Sequence, residues 1–180
     1  MAEVTTGAFA QRFPELAAAI GDDATSELLQ VLERHELYAG QALIDEGNAT
    51  DALFLVWDGE LDVSMDTPDG PRKVGQVGRG SFLGEVSLLD PGPATATVTS
   101  EQGCVALRLD RERFDRLCTD RPALAAALVT ELSRVMSARI DAARARLDEM
   151  DAGSGSPFAP TGSSAGLVEV HGALYEGGGR

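Results

Sequence analysis

The sequence contains little of what several common protein classes require. Only two of its 180 residues are cysteine, and neither their spacing nor a neighbouring histidine suggests a zinc site. It has no run of 18 apolar residues, and its first ten residues, MAEVTTGAFA, lack the basic and apolar regions of a signal peptide. We therefore expect a soluble, cytoplasmic protein with Cys104 and Cys118 as reduced, buried thiols, and no membrane contact.

Basic residues are also scarce. The formal net charge is −14, from 15 basic and 29 acidic residues. Such a charge argues against nucleic acid as a partner, because duplex affinity comes largely from Lys and Arg contacts to phosphates. Residues 1–110 hold 19 acidic and 6 basic residues, whereas residues 111–150 hold 7 and 8. Between Arg79 and Arg108 there is no Lys or Arg at all.

Hydrophobic periodicity predicts a β-rich body between two helical regions. Residues 9–34 have helical spacing, and helical spacing returns at Asp110. Between them, short apolar runs are separated by turn residues at intervals of about 8–12 residues, which is typical of a sandwich or barrel. One turn is predicted at Asp58-Gly59. The segment ELDVSMDTPDGPRKVGQV predicts a hairpin around a Pro-Asp-Gly turn.

The last helix is long, about 28 residues up to Met150, and its apolar residues have heptad-like spacing. They could form a single face packed on the same domain. The second half is rich in charge and extends beyond what a compact barrel could cover, which favours a homodimer seam instead. The predicted seam residues are Leu132, Met136, Ile140, Ala143 and Leu147.

The composition changes at Asp151. Residues 151–166, DAGSGSPFAPTGSSAG, predict a flexible linker. Residues 167–180 regain apolar character and could be a docking tail for a protein partner or a larger assembly, or a functionless end. The predicted partner-binding residues are Leu167, Val168, Val170, Leu174 and Tyr175.

The order of the motifs resembles the cyclic nucleotide-binding domain, as in catabolite-activator-type regulators, kinase regulatory subunits and cyclic-nucleotide-gated channels. The resemblance covers roughly residues 25–148. It is carried by YAGQALIDEGNATDALFLVWDGELDV, by VGRGSFLGEVSLL and by the helical end that starts at VALRLDRERF. It implies a mainly β fold with helices (α+β): an eight-stranded jelly-roll-like β-barrel with N-terminal helices and a long C-terminal helix. The implied domain is 1–150, with helices at 9–34, the barrel at 36–110 and helices at 111–150.

The resemblance also implies a ligand cradle at Phe82, Leu83, Gly84, Glu85 and Val86 on one side, and at Ala94 and Thr95 on the other. The amides after the glycine turn would face an anion. Glu85 would accept a hydrogen bond from a ribose hydroxyl, or would merely complement the helix dipole. In the family the second segment usually reads Pro, Arg, any residue, Ala, Thr, Val, and the arginine binds the cyclic phosphate. Here Ala94 stands in the arginine position.

Three functions remain open at this point. The first is a stand-alone regulatory or adaptor module that acts through protein contacts and has a degenerate nucleotide site. The second is a sensor of cyclic AMP, cyclic GMP or a cyclic dinucleotide, and the third is a sensor of a neutral small molecule. A cyclic nucleotide is the one cofactor to consider. No metal site, no enzymatic constellation and no DNA-reading domain is predicted.

Overall fold

The structure is a computed structural model that describes residues 4–153 of the chain. Its helices are α1 (Thr6–Arg12), α2 (Pro14–Val31), α3 (Glu85–Leu89), α4 (Arg111–Asp120) and α5 (Pro122–Gly153). Its strands are β1 (Glu33–Leu37), β2 (Ala42–Ile44), β3 (Ala49–Thr50), β4 (Ala52–Thr67), β5 (Gly70–Gly78), β6 (Phe82–Leu83), β7 (Gly92–Pro93), β8 (Thr97–Thr99) and β9 (Cys104–Asp110). The predicted fold class is confirmed. The described range has nine strands instead of eight, and β3 and β7 form a separate small sheet.

Strand β4 is the centre of the main sheet. It is 16 residues long and pairs antiparallel with β5, β6, β8 and β9. The sheet continues in the order β1–β9–β4–β8–β2. The predicted hairpin is confirmed as β4–β5, which closes at the pair Thr67 and Gly70. Because β6 and β8 both pair with β4, this one strand positions the segments on either side of the predicted cradle.

The turn predicted at Asp58-Gly59 is wrong, since β4 runs through it. The strand is irregular between Val56 and Asp58, where its register against β9 shifts. Gly59 has a φ of +91°, and a Cβ atom there would lie 2.6 Å from the carbonyl oxygen of Gly103. Gly59 therefore allows a β-bulge and the close approach of two backbones, and the chain does not reverse direction here.

The N-terminal helices end earlier than the predicted range 9–34, because β1 begins at Glu33, ahead of the predicted barrel start at residue 36. Strand β1 pairs with β9 along its whole length, from Glu33 opposite Arg108 to Leu37 opposite Cys104. Glu33 also accepts a hydrogen bond of 2.6 Å from Arg113 of α4. The local sequence favours a helix, but pairing with a distant strand decides the conformation.

Alternating residues of β4 supply two separate hydrophobic clusters, as expected for a strand buried on both faces. Leu53, Leu55 and Trp57 belong to the cluster that contains residues of α1, α2, α4 and α5. Phe54 and Val56 belong to the second cluster, which is built from strand residues. The helices are thus packed on one face of the sheet, and the cradle segments lie next to the strand cluster through Leu83 and Val98.

The first half of α5 is part of the domain core. Leu124, Leu128 and Leu132 are buried in the helix cluster. The prediction that Leu132 belongs to a dimer seam is therefore wrong, because its side chain is 0% exposed within its own domain. Met136 is half-buried, whereas Ile140 is 50% exposed. The exposed apolar stripe of the helix starts later than the spacing alone suggests.

The chain divides into two units, Met1–Asp141 and Ala142–Arg180, with the division inside α5. The predicted domain 1–150 stays a prediction. Helix α5 continues to Gly153, into the predicted linker 151–166. The side chains of Ala143 and Leu147, the rest of the linker and the tail 167–180 lie outside the described residues. The docking residues Leu167, Val168, Val170, Leu174 and Tyr175 therefore stay a prediction.

The two cysteines differ in burial. Cys104 is buried, which raises the pKa of its thiol to about 11, but Cys118 is exposed, so the prediction of two buried thiols is half wrong. Within residues 4–153, none of the helices has the length and apolar character that crossing a membrane requires.

Candidate functional site

Helix α3 begins in a conformation that only glycine adopts without strain. Gly84 has a φ of +75°, and a Cβ atom there would lie 2.1 Å from the carbonyl oxygen of Ala52. Any larger residue would therefore push the start of α3 away from β4. The tight turn predicted from the sequence is present. The close contact between the backbones at Gly84 and Ala52 is sufficient to explain why this position is a glycine.

Two arginines from the C-terminal helices hold the two ends of α3. Arg139 of α5 donates through Nη1 to the Glu85 carboxylate and through Nη2 to the carbonyl oxygen of Phe82. Arg111 of α4 donates to the last two carbonyl oxygens of α3, at 3.0 and 3.1 Å. A cation at the carbonyl end of a helix satisfies groups that have no partner within it. The position of α3 is thus tied to that of α4 and α5.

The Arg139–Glu85 ion pair is the main charged contact of the cradle. Glu85 is 7% exposed, and the Arg139 side chain is 40% exposed. A buried carboxylate without a partner is costly, and the guanidinium supplies that partner. The sequence left open whether Glu85 accepts a hydrogen bond from a ribose hydroxyl or only complements the helix dipole. In the structure a ligand hydroxyl would have to share this carboxylate with Arg139 or displace it.

The opposite wall of the cradle presents a methyl group. The backbone of Ala94 is fixed by two hydrogen bonds of 2.8 Å, from the amide of Gly47 to its carbonyl oxygen and from its amide to the carbonyl oxygen of Asn48. Ala94 lines the cavity beside Thr95. The position at which the family resemblance implies an arginine therefore offers no charge and no hydrogen bond from its side chain.

The cavity between the two walls has a volume of about 200 Å³. Pockets that hold small molecules usually measure about 300–1,000 Å³. Apart from α3 and Ala94–Ala96, its walls are mostly apolar and include Ile44, Val63, Leu83 and Val98. Arg139 is the one cation among the residues that line it, and Glu85 is the one carboxylate.

Six of the seven predicted ligand residues surround this cavity: Leu83, Gly84, Glu85, Val86, Ala94 and Thr95. Phe82 does not, because its ring packs with Phe13 in the helix cluster, and only its carbonyl oxygen reaches Arg139. Val86 is 55% exposed and lies at the rim. A ligand-binding role for these residues stays a prediction.

Sequence reasoning missed both arginines. It looked for a cation near the cradle in the chain, where none exists, and Arg139 is 54 residues away from Glu85. One signal was available. Arg139 lies seven residues after Leu132, which is about two helical turns, so both residues occupy the same face of α5. A cation on the inward face of a helix needs a buried acceptor.

Metal chemistry has no support in this part of the chain. Within residues 4–153, no group of three or more His, Cys, Asp or Glu side chains could hold a metal ion.

A family model of the cyclic nucleotide-binding domain matches residues 34–121. In a solved structure, the N-terminal domain of a transcriptional regulator from Streptomyces coelicolor A3(2) is 32% identical, with a TM-score of 0.63. That similarity covers 71% of this chain and 92% of the other. The chain belongs to the cyclic nucleotide-binding domain family. Its barrel is therefore that of a cyclic nucleotide-binding domain.

Curated members of the family include longer proteins. A CRP-like cAMP-activated global transcriptional regulator of Mycobacterium tuberculosis is 28% identical over 112 residues, which are 62% of this chain and 50% of the relative. A cAMP-dependent protein kinase regulatory subunit of Aspergillus fumigatus is 32% identical over 110 residues, which are 61% of this chain and 26% of the relative. The matched region thus spans half or less of the length of these relatives.

A double-mutant cycle tests the ion pair. We expect Arg139→Gln and Glu85→Gln to lower the free energy of unfolding, because each removes one partner of the Arg139–Glu85 pair, and we expect a coupling energy of about 0.5–3 kcal/mol between them. Urea unfolding of the two single variants and the double variant measures it. Arg116→Gln is the control, since Arg116 is 64% exposed and faces Glu112 at 3.7 Å; it should stay within about 0.5 kcal/mol of wild type. If the effects of Arg139→Gln and Glu85→Gln on the free energy of unfolding simply add in the double variant, the two side chains are not paired.

Proposed function

We propose that the domain is a regulatory module whose nucleotide site is degenerate and is held closed by its own Arg139–Glu85 ion pair. It transmits its state through protein contacts. The observation that carries the proposal is that neither position 94 nor Glu85 has a free polar group for a nucleotide. Ala94 offers only a methyl group to the cavity, and Glu85 is already bound by Arg139.

The energetics support weak nucleotide binding. A charge-assisted hydrogen bond contributes about 1.5–3 kcal/mol, so the absence of an arginine at position 94 corresponds to a loss of roughly tenfold to a hundredfold in affinity. Displacing Arg139 from a buried carboxylate adds a further cost. A cavity of about 200 Å³ must also enlarge before a nucleotide can enter.

A second function is favoured by one observation, which is that Arg139 itself lines the cavity. Its guanidinium could turn from Glu85 to a cyclic phosphate and supply the cation that the strand lacks. The domain would then be a working cyclic nucleotide sensor with its cation on a helix. Two relatives are named for cyclic AMP, which makes that nucleotide the first to test.

Calorimetric titration with cyclic AMP, cyclic GMP and a cyclic dinucleotide separates the two functions. For the wild type we expect no saturable heat from the cradle up to roughly 100 μM ligand. Arg139, the one cation among the described residues that line this cavity, is already paired with Glu85. For Ala94→Arg we expect binding to cyclic AMP at micromolar concentrations, because residue 94 lines the cavity and the substitution supplies the cation that the family resemblance implies. Arg116→Gln serves as the matched arginine control and should behave as wild type.

The opposite outcome is equally clear. If the wild type binds a cyclic nucleotide at micromolar concentrations, and Arg139→Gln weakens that binding about tenfold or more, the site is functional and Arg139 is its cation. The degenerate site is then contradicted.

The protein contacts include a homodimer through α5. Ile140 is 50% exposed, and Met136 precedes it by four residues on the same face of the helix. Exposed apolar residues at this spacing favour a helix–helix contact. A contact of the tail 167–180 with another protein is part of the same proposal and lies outside the described residues.

Sedimentation velocity tests the dimer. We expect Ile140→Asp to shift the protein from dimer to monomer, because the substitution places a charge in the apolar contact. The matched control is Val74→Asp on β5, since Val74 is 48% exposed but lies on a different surface. A wild type that sediments as a monomer at tens of micromolar, or an Ile140→Asp variant that remains dimeric, would contradict the helix contact.

A further inference from the structure

A second cavity, called here the cleft, lies between the junction of α1 and α2, the segment that joins β5 to β6, and α5. Its volume is about 330 Å³, which is within the range of about 300–1,000 Å³ usual for small-molecule pockets. The cradle cavity, at about 200 Å³, is smaller. Arg139 lines both, so one side chain separates the two cavities.

Three guanidinium groups line the cleft, those of Arg12, Arg134 and Arg139, together with two carboxylates, Glu15 and Glu131. The formal charge of its walls is therefore positive, in a chain whose net charge is −14. Each guanidinium already has a carboxylate within 4 Å: Asp58 for Arg12, Glu15 and Glu131 for Arg134, and Glu85 for Arg139. A further anion would therefore bind through N–H groups that these pairs leave free.

The arginines are held in place and still have N–H groups to offer. Arg134 uses Nε and Nη2 for hydrogen bonds of 3.0 and 2.8 Å to Glu131, and Nη2 also contacts Glu15. Arg139 uses Nη1 and Nη2 for Glu85 and for the carbonyl oxygen of Phe82. A guanidinium carries five N–H donors, so these contacts leave donors free on each group. A fixed guanidinium loses little freedom on binding an anion.

The other wall of the cleft is apolar and aromatic. Phe13 and Phe82 line it, with ring centroids 5.3 Å apart, and both side chains are nearly fully buried. Leu16 and Val135 complete this side. Aromatic rings pack favourably against other rings in offset or edge-on arrangements. The cleft thus combines apolar and aromatic lining residues with guanidinium groups that can bind an anion.

We propose that the cleft binds a small aromatic anion, a carboxylate or a phosphate ester, with Arg134 and Arg139 at the anionic group and Phe13 and Phe82 against the ring. Arg139 keeps free N–H donors, but its single positive charge is then shared between the bound anion and Glu85, so the two anionic groups compete electrostatically. Occupation of the cleft therefore weakens the contact that ties α5 to α3. This inference concerns a different cavity from the cradle and holds whether or not the cradle binds a nucleotide.

An NMR titration of the full chain with phenyl phosphate and with benzoate tests the cleft. We expect saturable shifts of the Arg134 and Arg139 Nε–H signals and of the amides of Gly80 and Ser81, which line the cleft. Arg134→Gln should weaken binding about tenfold or more, because it removes a charge-assisted contact without touching the cradle. Arg116→Gln should leave binding unchanged. Benzyl alcohol, which has the ring but no charge, should bind far more weakly.

The competition for Arg139 predicts that one substitution strengthens binding, in contrast to the weaker binding expected for Arg134→Gln. Glu85→Gln should tighten the binding of phenyl phosphate, because it releases Arg139 from its carboxylate partner. The proposal is overturned if neither probe shifts the arginine signals, if Arg134→Gln and Arg116→Gln affect binding equally, or if inorganic phosphate binds as well as phenyl phosphate. An unchanged affinity in Glu85→Gln would overturn the competition. Arg134 lines the cleft and not the cradle cavity. Weaker binding in Arg134→Gln therefore assigns a ligand to the cleft, cyclic nucleotides included, so the two proposals fail separately.

Discussion

The position of α3 depends on one ion pair, between the Glu85 carboxylate at the start of α3 and the Arg139 guanidinium of α5. Glu85 is buried by the packing of α3 against β4, and a buried carboxylate requires a partner. Arg139 provides it and also binds the backbone at Phe82. Because Arg111 of α4 holds the other end of α3, the helix nearest the cavity is fixed by the C-terminal helices. A displacement of α3 would therefore alter these contacts with α4 and α5, and a displacement of α5 would alter the position of α3.

This coupling gives a physical meaning to the missing arginine of the β7–β8 segment. With Ala94 in that position, the one cation among the described residues that line the cavity is Arg139, which belongs to α5 and also lines the cleft. In the structure, Glu85 and the carbonyl oxygen of Phe82 bind Arg139 of α5. The proposed regulation, by protein contacts or by an anion in the cleft, would require only that this contact be made or broken.

Much of the fold could be predicted from the sequence, because it is encoded in local patterns. The β4–β5 hairpin follows from alternation around Pro68-Asp69-Gly70, and the turn at Gly84 follows from a glycine between a strand and an acidic helix start. The cradle walls also follow from the family motifs. The misses have a different cause. Gly59, β1 and Leu132 are each decided by a distant strand or helix packed against them. Arg139 belongs to the same class, since only the folded chain brings it to Glu85.

The most direct test of the account is the state of the Arg139 guanidinium in solution. Arginine-detected NMR should find its Nη–H protons in slow exchange with water and resolved from one another, because two of them are held by Glu85 and Phe82. In Glu85→Gln they should exchange faster, while the signals of the exposed Arg116 stay the same. If the Arg139 protons exchange in the wild type as fast as those of Arg116, the ion pair does not hold α3, and the account is contradicted.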